Sequence, residues 1–343
     1  MKPTIPQRLS YQTGKQPPVV EVDLTGKTVC VIGANKGMGF EMCKHFASMN
    51  AGRIIFACRS SALKARQLLT VQLKQETGYT KGELWLIDLG DFQSVKAFGD
   101  RFEQDEGRLD ILVANAAMET RKYTTTKDGW ETTLQVNHIA MSAAVLRLVP
   151  VMFKTGHEHA TKPRIVMVSS DLHYDVAMNK KLLAEPGKIL QTMGSPRWFH
   201  KNAATQYAFT KLLNIFFARS LTDRLGPDSP LIVNAVAPGF AVSELRRDLK
   251  GFLGVVLGAI ESMIALTTEE GSRRIVWAAV ALPDAAHTLR GQYINCNKVQ
   301  EASDFAISAE GRKAEQDIWN ETLAILGRQD PKTIETAQSY LNF

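Results

Sequence analysis

Short apolar segments recur along the chain, separated by longer segments whose apolar residues have helical spacing. The short segments are continuously apolar rather than alternating, which is typical of strands that are covered on both faces. One such strand runs up to Gly33, and others are predicted at 53–58, 83–89, 109–114, 164–169, 231–236 and 292–296. Strands that alternate with helices predict a doubly wound parallel α/β sheet with helices on both faces, whose ligands lie at the carboxyl ends of the strands.

The same pattern divides the chain into one domain with two extensions. Residues 25–327 are predicted to form the domain, residues 1–24 an extended arm rich in proline and polar residues, and residues 328–343 a tail. Helices are predicted around Phe46, at 61–77, from about residue 92 onward, and at 203–225, 268–282 and 310–326. A further long helix is predicted to begin at its N-cap Asp128 and to end near residue 153. Residues 171–202 are interpreted as an insertion beside the substrate site, and the apolar residues 240–266 as a substrate lid.

A glycine-rich turn follows the first strand. Gly33, Gly37 and Gly39 suit positive φ angles and close approach of a ligand, and the next helix offers unpaired N–H groups to a phosphate. Asn35, Lys36 and Met38 complete this predicted cofactor-binding turn. A tight glycine turn without a ligand remains the alternative, because such patterns also arise by chance.

Residues after the next strands indicate which dinucleotide would bind. Arg59 stands where a carboxylate would bind a free ribose hydroxyl, and with Lys36 it favours the 2′-phosphate of NADP(H). The alternative is that both are solvated surface charges. Asp88 and the adjacent Leu89 are placed to meet the adenine, although Asp88 could instead cap the following helix.

Small residues follow the fourth and sixth strands. Asn115 and Ala116 are predicted to lie against a ribose, although plain tight packing would also explain them. Pro238 and Gly239 are predicted to form a turn near the nicotinamide, and Ser243 could bind its carboxamide.

Tyr207 and Lys211 are one helical turn apart and share a face of a strongly predicted helix. An ammonium beside a phenol favours the phenolate, so such a tyrosine can exchange a proton with a carbonyl or alcohol oxygen. Ser170, at the end of the fifth strand, would hold that oxygen, or would simply satisfy the strand end. Asn137 could bend its helix or bind a water that relays protons to Lys211. Tyrosine and lysine at this spacing also occur by chance.

Aromatic residues and histidines near these positions are candidate substrate contacts. His173 and Trp198 in the insertion and Phe240 at the start of the predicted lid are the residues chosen, with loop packing as the alternative for the insertion. The apolar lid indicates a lipophilic or aromatic small molecule.

Composition excludes several other classes of protein. The net charge is +6 and the pI about 9.0, but no long run of lysine and arginine indicates nucleic-acid binding. Residues 251–266 are too short and too glycine-rich for a predicted membrane span, so at most peripheral membrane contact is expected. The absence of a signal-like leader and the cysteine pattern favour a cytoplasmic protein with reduced thiols and no metal site.

Seven segments, in order GANKGMG, IDL, ANAA, VNH, VSS, YAFTK and PGFAVS, resemble the short-chain dehydrogenase/reductase family over about residues 25–296. The resemblance implies a Rossmann-type fold with Tyr207 as general acid/base and Lys211 as its partner on the nicotinamide ribose. It also implies that Ser170 orients the carbonyl and that Asn137 completes the proton relay. The surrounding sequence is most similar to the NADP-dependent retinol-dehydrogenase-like branch, and the C-terminal part to fungal members of secondary metabolism.

Three departures from the family pattern affect the cofactor turns without removing a reacting group. Ile32 replaces the usual threonine before the first glycine, Ala114-Asn115-Ala116-Ala117 replaces N-N-A-G, and Ser243 replaces a threonine. The expected activity is that of an EC 1.1.1-like ketoreductase, with a redox-neutral epimerase or cyclase and a non-catalytic cofactor-binding scaffold as alternatives. The Tyr207 helix is apolar on both sides, so either a homodimer forms through it or the insertion covers it in a monomer.

Overall fold

The computed structural model describes residues 4–59, 63–105, 107–242 and 264–342. Ser243 and most of the predicted substrate lid therefore lie outside the described residues. The strands are β1 Thr28–Ile32, β2 Arg53–Cys58, β3 Gly82–Leu86, β4 Ile111–Ala114, β5 Arg164–Val168, β6 Ile232–Ala237, β7 Tyr293–Asn295 and β8 Lys298–Gln300. Among the described residues the α-helices are α1 Ile5–Thr13, α2 Gly37–Ser48, α3 Leu63–Thr77, α4 Phe92–Asp105, α5 Thr132–Glu158, α6 Lys180–Leu183, α7 Ile189–Met193, α8 Pro196–Asn202, α9 Gln206–Leu225, α10 Thr268–Val280, α11 Asp304–Ile307, α12 Ala309–Gln329 and α13 Lys332–Tyr340.

The eight strands form one sheet in the order β3-β2-β1-β4-β5-β6-β7-β8. The first seven are parallel, and their residues are buried on both faces almost throughout. The predicted doubly wound α/β sheet is confirmed. Strand order reverses between β1 and β4, so their carboxyl ends border the crevice in which such folds bind ligands.

An eighth strand, which the sequence analysis missed, closes the sheet in antiparallel orientation. Cys296 and Asn297 connect β7 to β8, and both residues have positive φ angles of 49° and 58°. A two-residue hairpin turn of this kind needs left-handed backbone at both positions, which asparagine tolerates well and cysteine does not. Without a glycine, the turn has no strong sequence signal.

Residues 5–13 of the N-terminal segment form a helix, so the prediction of an extended arm is wrong for these residues. Thr4 caps α1, because its side-chain oxygen accepts from the backbone N–H of Gln7 while the Gln7 side chain bonds back to the Thr4 backbone N–H. Proline at the first turn fits this helix, since the missing N–H has no intrahelical role there. Pro6 is therefore a helix-starting rather than a helix-excluding residue.

The predicted N-cap of α5 is also wrong. Asp128 accepts from the backbone N–H of Phe92 at 3.0 Å and so serves the start of α4 instead. Glu131, which is fully buried, caps α5 by accepting from the backbone N–H groups of Thr133 and Leu134. Both carboxylates precede the helix by a few residues, so sequence spacing alone did not separate them.

C-terminal residues cover the outer face of α9, the helix that carries Tyr207. Phe217 stacks on Trp319 of α12 with ring centroids 5.6 Å apart, and the buried Arg219 pairs with Glu315. Both sides of α9 are therefore buried within one chain. The insertion covers part of this helix, because Trp198 packs against Phe209, and α12 covers the part around Phe217.

The tail continues the same covering layer on α5. Arg147, 1% exposed, pairs with Asp330 at the end of α12 and with Asp100 and Glu103 of α4. In α13, Tyr340 packs on Phe153 with ring centroids 5.0 Å apart. Residues 328–342 are therefore part of the packed domain.

Candidate active site

The turn after β1 can be built only with glycine at two positions. Gly33 has a φ of +89°, and a Cβ there would lie 2.8 Å from the Cα of Ala116. A Cβ on Gly39 would lie 2.0 Å from the carbonyl oxygen of Gly33. The chain is thus folded tightly on itself at the carboxyl end of β1, where sheet and helix meet.

The helix that follows offers its first N–H groups to a ligand. α2 begins at Gly37, its N-cap Lys36 makes no side-chain capping bond, and its first turn contains no acidic residue. The N–H groups of such a turn and the helix dipole favour a phosphate. Asn35 and Met38 are half-buried in the same turn, and Lys36 is exposed. These residues fit the diphosphate of a dinucleotide.

The loop after β4 is tied to the glycine turn. The side-chain amide of Asn115 donates to the carbonyl oxygen of Gly33 at 3.2 Å. The backbone N–H of Ala116 donates to the carbonyl oxygen of Ile32 at 2.8 Å. This amide gives the turn a side-chain bond although Ile32 itself has no hydroxyl. Both loops of the strand-order reversal therefore form one rigid corner.

The predicted adenine side of the site lies at the ends of β2 and β3. Arg59 directly follows β2 and is exposed. Asp88 is half-buried, and one carboxylate oxygen accepts from the backbone N–H of Gly90 at 2.9 Å, so it closes a local turn. The first N–H groups of α4 are bound instead by Asp91 and Asp128. Leu89 is buried, and its carbonyl oxygen accepts from the Gln135 side chain.

The Lys211 ammonium lies beneath the half-buried Tyr207, with Nζ 5.4 Å from the ring centroid. Lys211 is 1% exposed, and its Nζ donates to the carbonyl oxygen of Val168 at 2.8 Å. Burial lowers the pKa of Lys211 to about 7, because desolvation disfavours the charged amine. The predicted pair is thus close in space and attached to the end of β5.

Further hydrogen bonds join α9 to the strand end that carries Ser170. The hydroxyl of Ser169 donates to the carbonyl oxygen of Lys211 at 2.8 Å. The side-chain amide of Asn214 donates to the carbonyl oxygen of Val168. Ser170 itself is half-buried and accepts from the backbone N–H of Leu172 at 3.3 Å. The structure therefore places the predicted serine beside the helix of Tyr207 and Lys211.

Asn137 lies in a π-helical turn, Gln135–Ile139, within α5. Its amide oxygen accepts from the backbone N–H of Met118, and its amide nitrogen donates to the carbonyl oxygen of Met118 and to the Thr210 hydroxyl. Thr210 in turn donates to the carbonyl oxygen of Tyr207. The π turn aims Asn137 at α9, as such turns often do at functional sites.

The turn after β6 packs on the glycine turn. Gly239 has a φ of +83° and lies over the buried Arg274, whose Nη1 would be 2.6 Å from an added Cβ. A Cβ on Gly271 would meet Met38 and Ala241, both at 3.0 Å. Pro238 and Phe240 therefore lie at the edge of the sheet that also carries the cofactor turn.

Two of the three predicted substrate residues have structural roles. His173 is fully buried: the N–H of Ser303 donates to its Nε2, so the proton is on Nδ1, which donates to the carbonyl oxygen of Ser170 at 2.7 Å. Trp198 donates to the Gln206 side chain and packs edge-on against Phe209. Both residues thus make the packing contacts that the alternative expects, and a substrate contact by the half-buried Trp198 stays a prediction. Phe240 is half-buried.

Several residues that organise the site have no signal in the sequence. Thr210 and Met118 hold Asn137, and Gln12 of α1 bonds to Phe240. Ser169 lies in the VSS segment that resembles the family, but only its neighbour Ser170 is predicted from the sequence as a site residue. A threonine, a methionine carbonyl or a glutamine in a polar N-terminal segment carries no pattern that could have identified it.

The described residues contain no group of three or more histidine, cysteine or acidic side chains that could hold a metal ion. By length and apolar character α5 could cross a membrane, but 78% of its most apolar window is buried in the fold, as in a core helix.

Comparison with known proteins identifies the family. A family profile described as short chain dehydrogenase matches residues 27–180. The chain is 31% identical to a short-chain dehydrogenase of Penicillium roqueforti over 325 residues, which cover 92% of this chain and 81% of that protein. A short chain dehydrogenase/reductase of Cryptosporiopsis is 29% identical over 325 residues, covering 94% and 95% of the two chains.

Solved structures show the same fold at lower identity. A Mycobacterium paratuberculosis protein superposes with a TM-score of 0.63 at 21% identity, covering 90% of this chain and 98% of that one. A short-chain dehydrogenase/reductase of Serratia marcescens superposes with a TM-score of 0.58 at 22% identity, covering 79% and 96%. With a parallel sheet and a site of this geometry, the chain belongs to the short-chain dehydrogenase/reductase family of oxidoreductases.

Proposed function

We propose that the protein is an NADP(H)-dependent oxidoreductase that interconverts a carbonyl and an alcohol on a lipophilic or aromatic small molecule. The observation that carries this proposal is the position of the Lys211 ammonium under the Tyr207 ring, 5.4 Å from its centroid, beside the strand end of Ser170. A phenol next to a cation and a serine is an arrangement that can move a proton to or from a substrate oxygen.

The residues of the chain have separate tasks in this reaction. When bound, the nicotinamide supplies or accepts the hydride. Tyr207 gives its hydroxyl proton to the carbonyl oxygen in reduction and takes it back in oxidation. The Lys211 ammonium favours the phenolate of Tyr207 after proton transfer. The Ser170 hydroxyl donates to the same substrate oxygen and so fixes its position. Asn137 holds α5 against α9 and keeps Tyr207 and Lys211 in place.

A dinucleotide would lie along the carboxyl edge of the sheet. The residues proposed to hold it are Gly33, Asn35, Lys36, Gly37, Met38, Gly39, Arg59, Asp88, Leu89, Asn115, Ala116, Tyr207, Lys211, Pro238, Gly239 and Ser243. Preference for NADP(H) is supported by Arg59, an exposed cation at the end of β2 where NAD-binding folds carry a carboxylate. Lys36, exposed at the start of α2, is the second cation.

The substrate class is proposed from the apolar sequence 240–266, of which only the ends are described, together with Phe240. The fungal source of the similar proteins supports a substrate of secondary metabolism. Because cells hold NADP mainly in its reduced form, we propose carbonyl reduction as the direction.

The direct test is turnover of NADPH with a panel of aromatic and polyketide-like aldehydes and ketones, followed by absorbance and by product mass. We expect NADPH oxidation coupled to a product two hydrogens heavier for at least one member. Product formation without NADPH oxidation would instead identify a redox-neutral isomerase or cyclase. NADPH binding with no conversion of any member would contradict the proposed activity.

A further inference from the structure

Helix α1 contacts the loops that follow three neighbouring strands. Arg8 donates to the carbonyl oxygen of Asp171, directly after Ser170, at 3.2 Å. The Tyr11 carbonyl oxygen accepts from Arg274 at 2.6 Å and from the thiol of Cys296 at 3.7 Å. Gln12 bonds to the loop after β6. Because the carboxyl ends of β5, β6 and β7 form the substrate side of the proposed site, α1 lies against that side.

Gln12 holds one residue of these loops from both directions. Its Oε1 accepts from the backbone N–H of Phe240 at 2.9 Å, and its Nε2 donates to the carbonyl oxygen of Phe240 at 2.5 Å. Nε2 also donates to the carbonyl oxygen of Ile264 at 2.7 Å. A single side-chain amide thus pairs with both backbone groups of Phe240, as a neighbouring strand would, because its oxygen accepts while its nitrogen donates.

The residue held in this way is well placed to shape the site. Phe240 follows the Pro238-Gly239 turn, and its neighbour Ala241 packs beside Met38 of the cofactor turn through Gly271. The carbonyl oxygen of Phe240 also accepts from the backbone N–H of Leu266, beside the bridge between Ala241 and Leu266. The Gln12 side chain therefore binds at the edge of a short backbone pairing. Because Phe240 lies in the loop after β6, a shift of its backbone would change the substrate side of the proposed site.

We propose that Gln12 is a positioning residue, which sets the backbone of Phe240 on the substrate side of the active site through its side-chain amide. The expected effect of Gln12 on kcat/KM rests on the proposed function, whereas its expected effect on the backbone of Phe240 does not. It assigns a role in the reaction to an N-terminal helix that lies outside the sheet.

The test replaces Gln12 by Glu. The carboxylate keeps the shape of the side chain and the oxygen that accepts from Phe240, but it replaces the NH₂ group that donates to two carbonyl oxygens by a second acceptor. Gln7→Glu is the matched control, because Gln7 lies in the same helix, is exposed and acts only as an acceptor in the capping box. Gln12→Met, which is neutral and of similar length, is the second variant in case the carboxylate unfolds the loop.

Two readouts separate this inference from the proposed function. Hydrogen exchange of the Phe240 amide should become faster in both Gln12 variants and not in Gln7→Glu, whether or not a substrate is known. With a substrate in hand, kcat/KM should fall about 10- to 100-fold while the Kd for NADPH stays within about threefold. Unchanged exchange at Phe240, or a kcat/KM equal to that of Gln7→Glu, would overturn the inference. Equal losses in NADPH affinity and kcat/KM would also overturn it, since the effect would then be a general one.

Discussion

The ammonium of Lys211 donates to the carbonyl oxygen of Val168 at a distance of 2.8 Å, deep inside the fold. The hydroxyl of Ser169 returns a bond from the same strand end to the carbonyl oxygen of Lys211. Together these bonds fix the register between β5 and α9, so that Ser170 and Tyr207 lie at one end of the same two elements. Lys211, which we propose as a catalytic group, thereby also has a structural role.

This burial predicts a pH dependence of stability. The pKa of Lys211 is about 7 in the folded protein and about 10.4 in the unfolded chain, so between these values the unfolded chain binds more protons. The free energy of unfolding should therefore rise with pH across this window, by up to about 1.4 kcal/mol per pH unit from this group. Chemical denaturation of the cofactor-free protein and of Lys211→Met from pH 7 to 9.5 isolates the contribution. Parallel profiles for the two proteins would contradict it.

Tyr207→Phe removes the proposed proton donor and keeps the aromatic ring. Turnover should fall by about 10²- to 10⁴-fold, while the Kd for NADPH and the melting temperature change little. Tyr79→Phe is the control, since its hydroxyl bonds to the carbonyl oxygen of Ala51, outside the site. Steady-state kinetics and NADPH fluorescence measure both quantities. A Tyr207→Phe variant as active as Tyr79→Phe would favour the non-catalytic scaffold.

Two glycines of the cofactor turn should differ in their tolerance of alanine. Gly33→Ala places a Cβ within 2.8 Å of the Ala116 backbone at a φ of +89°, whereas the nearest atom to a Cβ on Gly37 is 3.9 Å away at a φ of +56°. Strained backbone alone costs about 1–3 kcal/mol at Gly33, and the contact adds to it. We expect Gly33→Ala to lose stability and NADPH binding, and Gly37→Ala to cost about 1 kcal/mol. Thermal unfolding and fluorescence titration give the comparison, and equal effects would refute the close approach.

Arg59→Asp should change the choice of cofactor. Loss of a charged hydrogen bond to the 2′-phosphate should lower the preference for NADPH over NADH by roughly 10- to 100-fold. Arg59→Lys retains the charge without the planar guanidinium, so its preference for NADPH over NADH should lie between those of the wild type and Arg59→Asp. The ratio of kcat/KM values for NADPH and NADH is the measurement. A ratio that is equal in all three proteins would show that Arg59 is a solvated surface charge.

Removal of Asp330 should destabilise the protein strongly. Arg147 is 1% exposed and pairs with Asp330 across α5 and α12, so Asp330→Ala leaves a buried guanidinium with fewer partners and should cost about 3 kcal/mol. Asp223→Ala, which removes an exposed carboxylate 3.9 Å from Arg312, should cost less than about 0.5 kcal/mol. Denaturant unfolding compares them. Similar small losses would mean that the C-terminal tail is not integral to the domain.

Periodicity and glycine placement in the sequence predicted the parallel sheet, the cofactor turn and the helix that carries Tyr207 and Lys211. These features depend on local rules: continuous apolar runs for buried strands, positive φ for glycine, and a shared helix face at four residues' separation. Asp128 shows the limit of such rules. A carboxylate near a helix start reads as its cap, yet Asp128 bonds to a different helix because the chain folds back there.

The order of strands and helices follows from apolar spacing along the chain, and the candidate groups for proton transfer follow from residue type and spacing. Which surfaces cover them depends on tertiary packing. It is packing between distant segments that lays α12 over α9, brings Gln12 to Phe240 across 228 positions and buries His173 under Ser303. Such contacts depend on shape and on paired backbone groups rather than on residue spacing, so no periodic pattern along the chain encodes them.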